Sequence, residues 1–349
     1  MLVAAPARQF AVRCGFCMRL SLCDYSRQVA SVNRLLEGAL RNRSGAESIG
    51  NMSQAPSAVT QPAPANRFAL AALVLGGAAI GGSPIFVRLS DVGPMATAFW
   101  RVALALIPIF IFSLVKGSDA GPKPQKLKDY GMLILPGVIL AMDLASWHLS
   151  ITMTSVANAT LLANLAPVFV AGIGLLLFHA TVTRVFLFGL ALALAGVVIL
   201  KGGPAALGNG DLRGDGIAVV AAMFYAGYIL AIGKLRSRFD TIRIMLWSTA
   251  SAAVCVFPLA FFFEGSMLPA TAHGWAMVFG LAFVSHAGGQ VAITYALAYL
   301  PPAFSSLTLL LQPVVAAILA WILLSEPLGP MQAVGGMVVL AGILVARRG

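Results

Sequence analysis

Asp143 is the one acidic residue deep inside an apolar run of this chain, and Trp147, four positions on, shares its helical face, with His148 alongside. Downstream, His286, Gln290 and Thr294 recur at i, i+4 and i+8, which makes one polar stripe on a helix. Ser305, Thr308 and Gln312 fall at i, i+3 and i+7, a second stripe that ends one residue before Pro313. Asn158 and Asn164 precede Pro167 in another run, and Tyr225, Tyr228 and Ser83 could add wall to a cavity. Groups of this kind suit reversible contact with a small solute. A carboxyl and two imidazoles can also take and release a proton as a cavity changes sides, which a proton-coupled carrier requires. These residues are the candidates for a translocation path.

Each has a plainer reading. A lone His within an apolar span is usually structural, and Ser, Thr or Asn beside Pro167 and Pro313 can satisfy the carbonyls that those prolines free. Arg101 lies about two turns from a loop, so it reads as a snorkelling or pairing arginine that locks the bundle. Gly189 and Gly196, like Gly335 and Gly342, stand seven apart and read as close helix packing. Chemistry on covalent bonds finds little support. The chain has no Gly-x-Ser-x-Gly elbow and no Walker-type Gly-x-x-x-x-Gly-Lys loop, so neither a serine hydrolase nor ATP-driven pumping is expected. An intramembrane enzyme built on Asp143 and His148 would lack a nucleophile. Cys14 and Cys17 form a lone Cys-x-x-Cys with no second pair or nearby His, so no metal site and no cofactor are expected.

The elements that must position these residues follow from composition. Apolar residues make up 59% of the 349 and charged ones 10%, against roughly 25% charged in an ordinary soluble domain. Ten apolar runs lie near 68–87, 95–115, 130–149, 155–178, 185–200, 216–233, 244–263, 274–297, 303–324 and 331–346. Each is close to the ~20 residues that a helix needs to cross the hydrocarbon layer. They are continuously apolar, without the period-two alternation of barrel strands. The reading is an all-α membrane protein of ten transmembrane helices.

The net charge of +11 is topological rather than a nucleic-acid footprint. With the N-terminus in the cytoplasm, the loops and tail on that side from residue 116 onward hold Lys116, Lys123, Lys126, Lys128, Arg184, Lys234, Arg236, Arg238, Arg243, Arg347 and Arg348. The opposite side holds only Arg88, Lys201 and Arg213. Lys and Arg are retained on the cytoplasmic side, so both termini are expected there, in a plasma or inner membrane.

The chain also contains one stretch twice. Sliding residues 154–201 by 146 positions onto 300–347 lays Pro167 on Pro313, Gly189 on Gly335 and Gly196 on Gly342. The same offset carries His286 back to Leu140, three residues before Asp143, so spans 3 and 8 are both polar at corresponding places. Five spans per unit is an odd number. The second unit must therefore enter the membrane from the side opposite to the first, which makes two inverted-topology five-helix repeats, a signature of secondary transporters. The units run over 68–201 and 214–347, joined by a Gly/Pro/Asn-rich connection. Residues 1–67 form a basic extension that ends in a Pro/Ala/Gln-rich stretch and is expected to be disordered. Met52 is the preferred native start, and the earlier residues are expected to be dispensable.

The runs GGSPIFVRL, FWR at Phe99–Arg101, ANATLLANLAPVFV, LLQPVVAAILAWILLSEPL and GGMVVLAGILV resemble the drug/metabolite transporter superfamily, in its EamA-type group with two EamA units. The resemblance covers 68–347. It implies a secondary transporter of small organic metabolites, an exporter of amino acids or related compounds above all, with import or broad amphipathic-drug efflux as alternatives. It implies a small-molecule substrate and the lipid bilayer as partners, a proton as a candidate coupling ion, and no nucleic acid. Spans 5 and 10 lie at the periphery in such proteins and can meet a second subunit, so a homodimer is a further expectation. One departure stands out. An acidic residue often closes the long fourth span of each unit; Glu326 fills that place in the second half, but Ala180, beside His179, fills it in the first.

Overall fold

A helix entering lipid must satisfy its backbone internally, and the chain marks nearly every entry with a residue suited to that task. Thr183, Asp211, Asp240 and Thr271 each accept from a backbone N–H in the first turn that follows, at 2.9–3.0 Å. Pro94, Pro302 and Pro330 open helices at positions where a missing N–H costs nothing. The computed structural model describes residues 67–116, 122–154, 156–203 and 211–349. The rest of the extension, with Cys14, Cys17, Cys23 and Met52, lies outside the described residues.

Helices α1 (Arg67–Gly81), α2 (Ser83–Leu89), α3 (Pro94–Lys116), α4 (Leu127–Met153), α5 (Val156–Ala163), α6 (Ala166–Phe178) and α7 (Arg184–Leu200) make the first half. The second half has α8 (Leu212–Leu235), α9 (Thr241–Phe263) and α10 (Ala272–Gly280), a π-helical segment (Leu281–Gln290), then α11 (Val291–Ala296), α12 (Pro302–Thr308), α13 (Leu311–Leu324) and α14 (Pro330–Ala346). No strand occurs among the described residues. Eight helical stretches of 20–27 residues are long and apolar enough to cross a membrane. Helices α7 and α14 are shorter, at 17 residues each, the lower edge of the ~17–25 that a crossing takes. The chain is a multi-pass, all-helical membrane protein.

Proline interrupts three of these stretches, because its ring removes a donor and collides with the carbonyl four residues back. The break between α5 and α6 falls just before Pro167, and the break between α12 and α13 just before Pro313, at corresponding places in the two halves. A third, at Gly82 before Pro84, separates α1 from α2. The correspondence extends to the helix ends. His179 closes α6 and Ser325 closes α13, 146 residues apart, and both adopt left-handed backbone at φ 49° and 55°.

The paired glycines serve as packing residues, as expected, and their partner lies within the same chain. A Cβ on Gly189 would meet Ala346 N at 2.5 Å, one on Gly196 would meet Val339 N at 2.5 Å, and one on Gly342 would meet Ala193 N at 2.5 Å. Helices α7 and α14 therefore cross antiparallel with their backbones nearly touching. Their glycine faces are filled by each other, which removes those faces as a surface for a second copy.

Loop contacts group the helix ends. At one end Met95 N donates to Glu264 at 2.7 Å, Thr271 donates to Asp91 through its N and its Oγ1 at 2.9 Å each, and Arg88 pairs with Glu326. Desolvation pushes the Asp91 carboxyl up, but the Thr271 bonds outweigh it and hold the group below the usual carboxylate range. Thr154 Oγ1 donates to Asp215 at 2.7 Å and Ser150 Oγ to Gly214 O at 2.9 Å, which ties the α4 and α8 ends together. At the other end, buried Asp129 accepts from Gln125 N and Lys126 N and pairs with Arg238 at 2.8 Å. Gly233 there lies against Pro302, and Gly349 against Thr183.

Candidate substrate cavity

The helices enclose one cavity of about 700 Å³, within the range of sites that hold small molecules, roughly 300–1,000 Å³. Its walls come from α1 to α5, α8, the π segment and α13, with Lys201 after α7. Most of the lining is apolar: Ile80, Val87, Leu140, Leu144, Ile151 and Leu281 among others. The polar side chains gather inward. Arg101, Asp143, His148, Tyr225, His286, Gln290 and Gln312 all line it, with Trp147 and Asn164 farther up.

Depth follows from helix position. At ~1.5 Å per residue, Arg101 lies about 10 Å, Asp143 about 15 Å and Tyr225 about 20 Å in from the Glu326 end. Arg88 and Lys201 stand at that end, and both line the cavity. No lining residue comes from the loops at the Asp129 end, where Leu133, Ile232, Leu235, Phe239 and Leu297 pack in the buried core. The cavity therefore opens toward the Glu326 end and is closed toward the other. A smaller space of about 280 Å³ adjoins it, shares Pro84, Arg88, Lys201, Pro313 and Ala316, and adds Glu326 and Gln332.

Hydrogen bonds orient the inner groups. His148 Nδ1 lies 2.7 Å from Leu144 O, and its ring meets Trp147 edge-on at 5.0 Å. His286 Nε2 lies 3.0 Å from Thr249 Oγ1. Tyr225 stacks at 6.2 Å on Tyr228, whose hydroxyl accepts from Gln290 Nε2 at 3.1 Å. Asp143 is half-buried, since its carboxyl borders the cavity. Arg101 Nε is buried and has no hydrogen-bond partner, and no ion pair within 4.0 Å joins it to Asp143.

Five candidates from the sequence stay outside the lining, each for a local reason. Asn158 is buried and its Nδ2 faces Asp215 at 3.4 Å, in the tie between α5 and α8. Tyr228 stands behind Tyr225, 1% exposed. Thr294 is buried, donates to Met245 Sδ at 3.1 Å and lies beside Tyr228, behind the cavity wall. It stands one turn beyond Gln290 toward the closed end, past the last residue of that segment that lines the cavity. Ser305 and Thr308 are buried in α12, and Thr308 Oγ1 donates back to Phe304 O at 2.9 Å. The break before Pro313 separates them from Gln312, which alone of that stripe reaches the cavity.

Two side chains assigned to the framework also line it. Arg101 borders the cavity about two turns in from the helix end, and Pro313 forms wall as well as a break. Arg88 and Lys201 were missed as lining residues. Their signal was present: they are two of only three basic residues on the sparsely charged side. Asn164 both lines the cavity and donates to Thr160 O at 2.8 Å, so it serves the proline break as well.

Known proteins add a family. The sequence profile described as the EamA-like transporter family matches residues 67–201 and again residues 212–348. The chain is 28% identical over 284 residues to an "Uncharacterized transporter" of Archaeoglobus fulgidus, covering 81% of this chain and 97% of that one. It is 26% identical over 251 residues to the pseudopaline exporter CntI of Pseudomonas aeruginosa, covering 72% and 84%. It is 26% identical over 263 residues to a "Probable terminal-alkyne amino-acid exporter" of Streptantibioticus cattleyicolor, covering 70% and 83%. A solved crystal structure shares the fold, with a TM-score of 0.68 at 18% identity over 80% of this chain and 98% of that one. With one profile matching both halves, the protein belongs to the EamA-like transporter family.

Proposed function

We propose that the protein is a ten-helix secondary carrier of the plasma membrane that exports amino acids or related small metabolites by alternating access. The ten crossings are the eight long stretches plus α7 and α14, arranged as two inverted five-helix units. Antiparallel contact of α7 with α14, and the matched proline breaks and left-handed ends, support that arrangement. Both termini are cytoplasmic on this reading. Eleven Lys and Arg side chains flank the Asp129 end from residue 116 onward and three flank the Glu326 end.

The observation that carries the proposal is the cavity itself. Polar groups from both halves line it at depths of about 10–20 Å from the Glu326 end, and no lining residue comes from the loops at the other end. This is the arrangement that a rocking carrier needs at one extreme of its cycle. Export is favoured over import by two relatives named as exporters, one of them for an amino acid. Among the described residues Asp143 is the only acidic one that lines the cavity. A substrate amine and a proton would compete for it, so entry of a proton from outside would release cargo and drive the return step. His148 and His286, on the same cavity, are placed to share that proton.

Purified protein in proteoliposomes loaded with unlabelled amino acids tests the reading. Labelled amino acid should accumulate inside by exchange, chemically unchanged. Absence of exchange for every amino acid offered, by protein that remains folded, would end the amino-acid reading, and recovery of an altered product would mean an enzyme.

A further inference from the structure

Among the described residues, four charged side chains line the cavity: Arg88, Arg101, Asp143 and Lys201. Arg88 is neutralised by Glu326. Two cations then face one carboxylate. Lys201 is half-buried and takes part in neither of the two ion pairs among the described residues. The sequence that follows it, residues 204–210, contains no acidic residue. Arg101 Nε is buried without a partner. An unmatched cation in a low-dielectric cavity is costly, and the one other carboxylate among the described residues lining this or the adjoining space, Glu326, is already paired with Arg88.

We infer that the cavity takes a small acidic zwitterion, a molecule with one amine and two anionic groups, as in an acidic amino acid or a longer amino-dicarboxylate. One anionic group would lie on the Arg101 guanidinium, whose planar fork suits a carboxylate. The amine would lie on Asp143. The second anionic group would lie toward Lys201, nearer the mouth. The order of charges from floor to mouth also steers such a molecule, since a basic entrance gathers anions. The inference rests on the carrier reading for transport, but its binding part stands alone.

Two measurements separate them. Thermal stabilisation of the detergent-solubilised full chain reads binding, with L-glutamate, L-aspartate and γ-glutamylglutamate set against L-glutamine, L-asparagine and γ-glutamylglutamine. O-phospho-L-serine tests whether phosphate serves as the second anion. Exchange in proteoliposomes reads transport of the same probes. The expected result is tighter binding of the acidic member of at least one pair. That preference should fall about tenfold in Lys201→Gln, the value of one charge-assisted contact, and persist in Lys201→Arg. Arg101→Gln should remove binding of all acidic probes; should that variant fail to fold, the Lys201 pair decides alone. Equal binding of acidic and amide probes, or a preference that survives Lys201→Gln, would overturn the inference. A preference in binding without exchange would leave it standing and count against the carrier. Exchange without preference would do the reverse.

Discussion

Arg101 and Asp143 border the same cavity about two and three turns in from one end, and no ion pair within 4.0 Å joins them. A charge pair that locked the bundle would have closed that gap. Each group borders space that a substrate could occupy.

Asp143→Asn follows directly. Because Asp143 forms no ion pair with Arg101, the amide should leave the protein folded and abundant in the membrane. Transport driven by a pH gradient should fall to the background of empty vesicles, while exchange at equal pH should survive. Reduced abundance or thermal stability would point to a structural carboxylate, and normal gradient-driven transport would end the proton role.

The α7–α14 contact makes a second case. Gly189→Leu or Gly342→Leu would force side chains into backbone atoms of the facing helix, at a cost of about 1–3 kcal/mol or more for overpacking. Gly131→Ala and Gly172→Ala meet nothing within 4 Å and serve as controls. Thermal unfolding should separate the two groups; equal midpoints would mean that the helices do not meet as described.

Much of this was legible in advance, and the failures have identifiable causes. Prolines 146 apart and seven-residue glycine spacing report breaks and packing directly, and both reappear in the structure; of the ten apolar runs, eight appear as helical stretches long enough to cross a membrane and two as shorter helices. Asp143, Trp147, His148, Asn164, Tyr225, His286, Gln290 and Gln312 reach the cavity as their positions suggested. Thr294 does not, because it lies a turn past the cavity floor beside Tyr228, and Ser305 and Thr308 do not, because the break before Pro313 parts them from Gln312. Asn158 has Asp215 as neighbour, 57 residues away, a pairing that spacing along one helix does not reveal. Lys201 reads in sequence as a loop charge, and only the tertiary arrangement brings it over the cavity.

The closed end offers a third test. Asp129 caps α4 through Gln125 N and Lys126 N and also pairs with Arg238. Asp129→Ala should lower stability by about 1–2 kcal/mol through the lost cap. Arg238→Ala alone should cost little, since its side chain is half exposed. The double variant should cost less than the sum, because the pair is lost once. Strict additivity by thermal unfolding would show that the pair contributes nothing.

Topology is tested by cysteine labelling. Positions 126, 238 and 349 should be reactive only from the cytoplasm, and position 209, which lies outside the described residues, only from the opposite face. Labelling of 209 and 238 from one side would break the inverted five-plus-five arrangement.

The most direct measurement compares the metabolites released by cells that produce the protein with those released by cells that produce Asp143→Asn or none. The account predicts that one or more compounds bearing an amine and a carboxylate accumulate outside the first cells, chemically unchanged, with a matching fall inside. Identical outside pools in all three, with the protein folded in the membrane, or accumulation of a converted product, would contradict it.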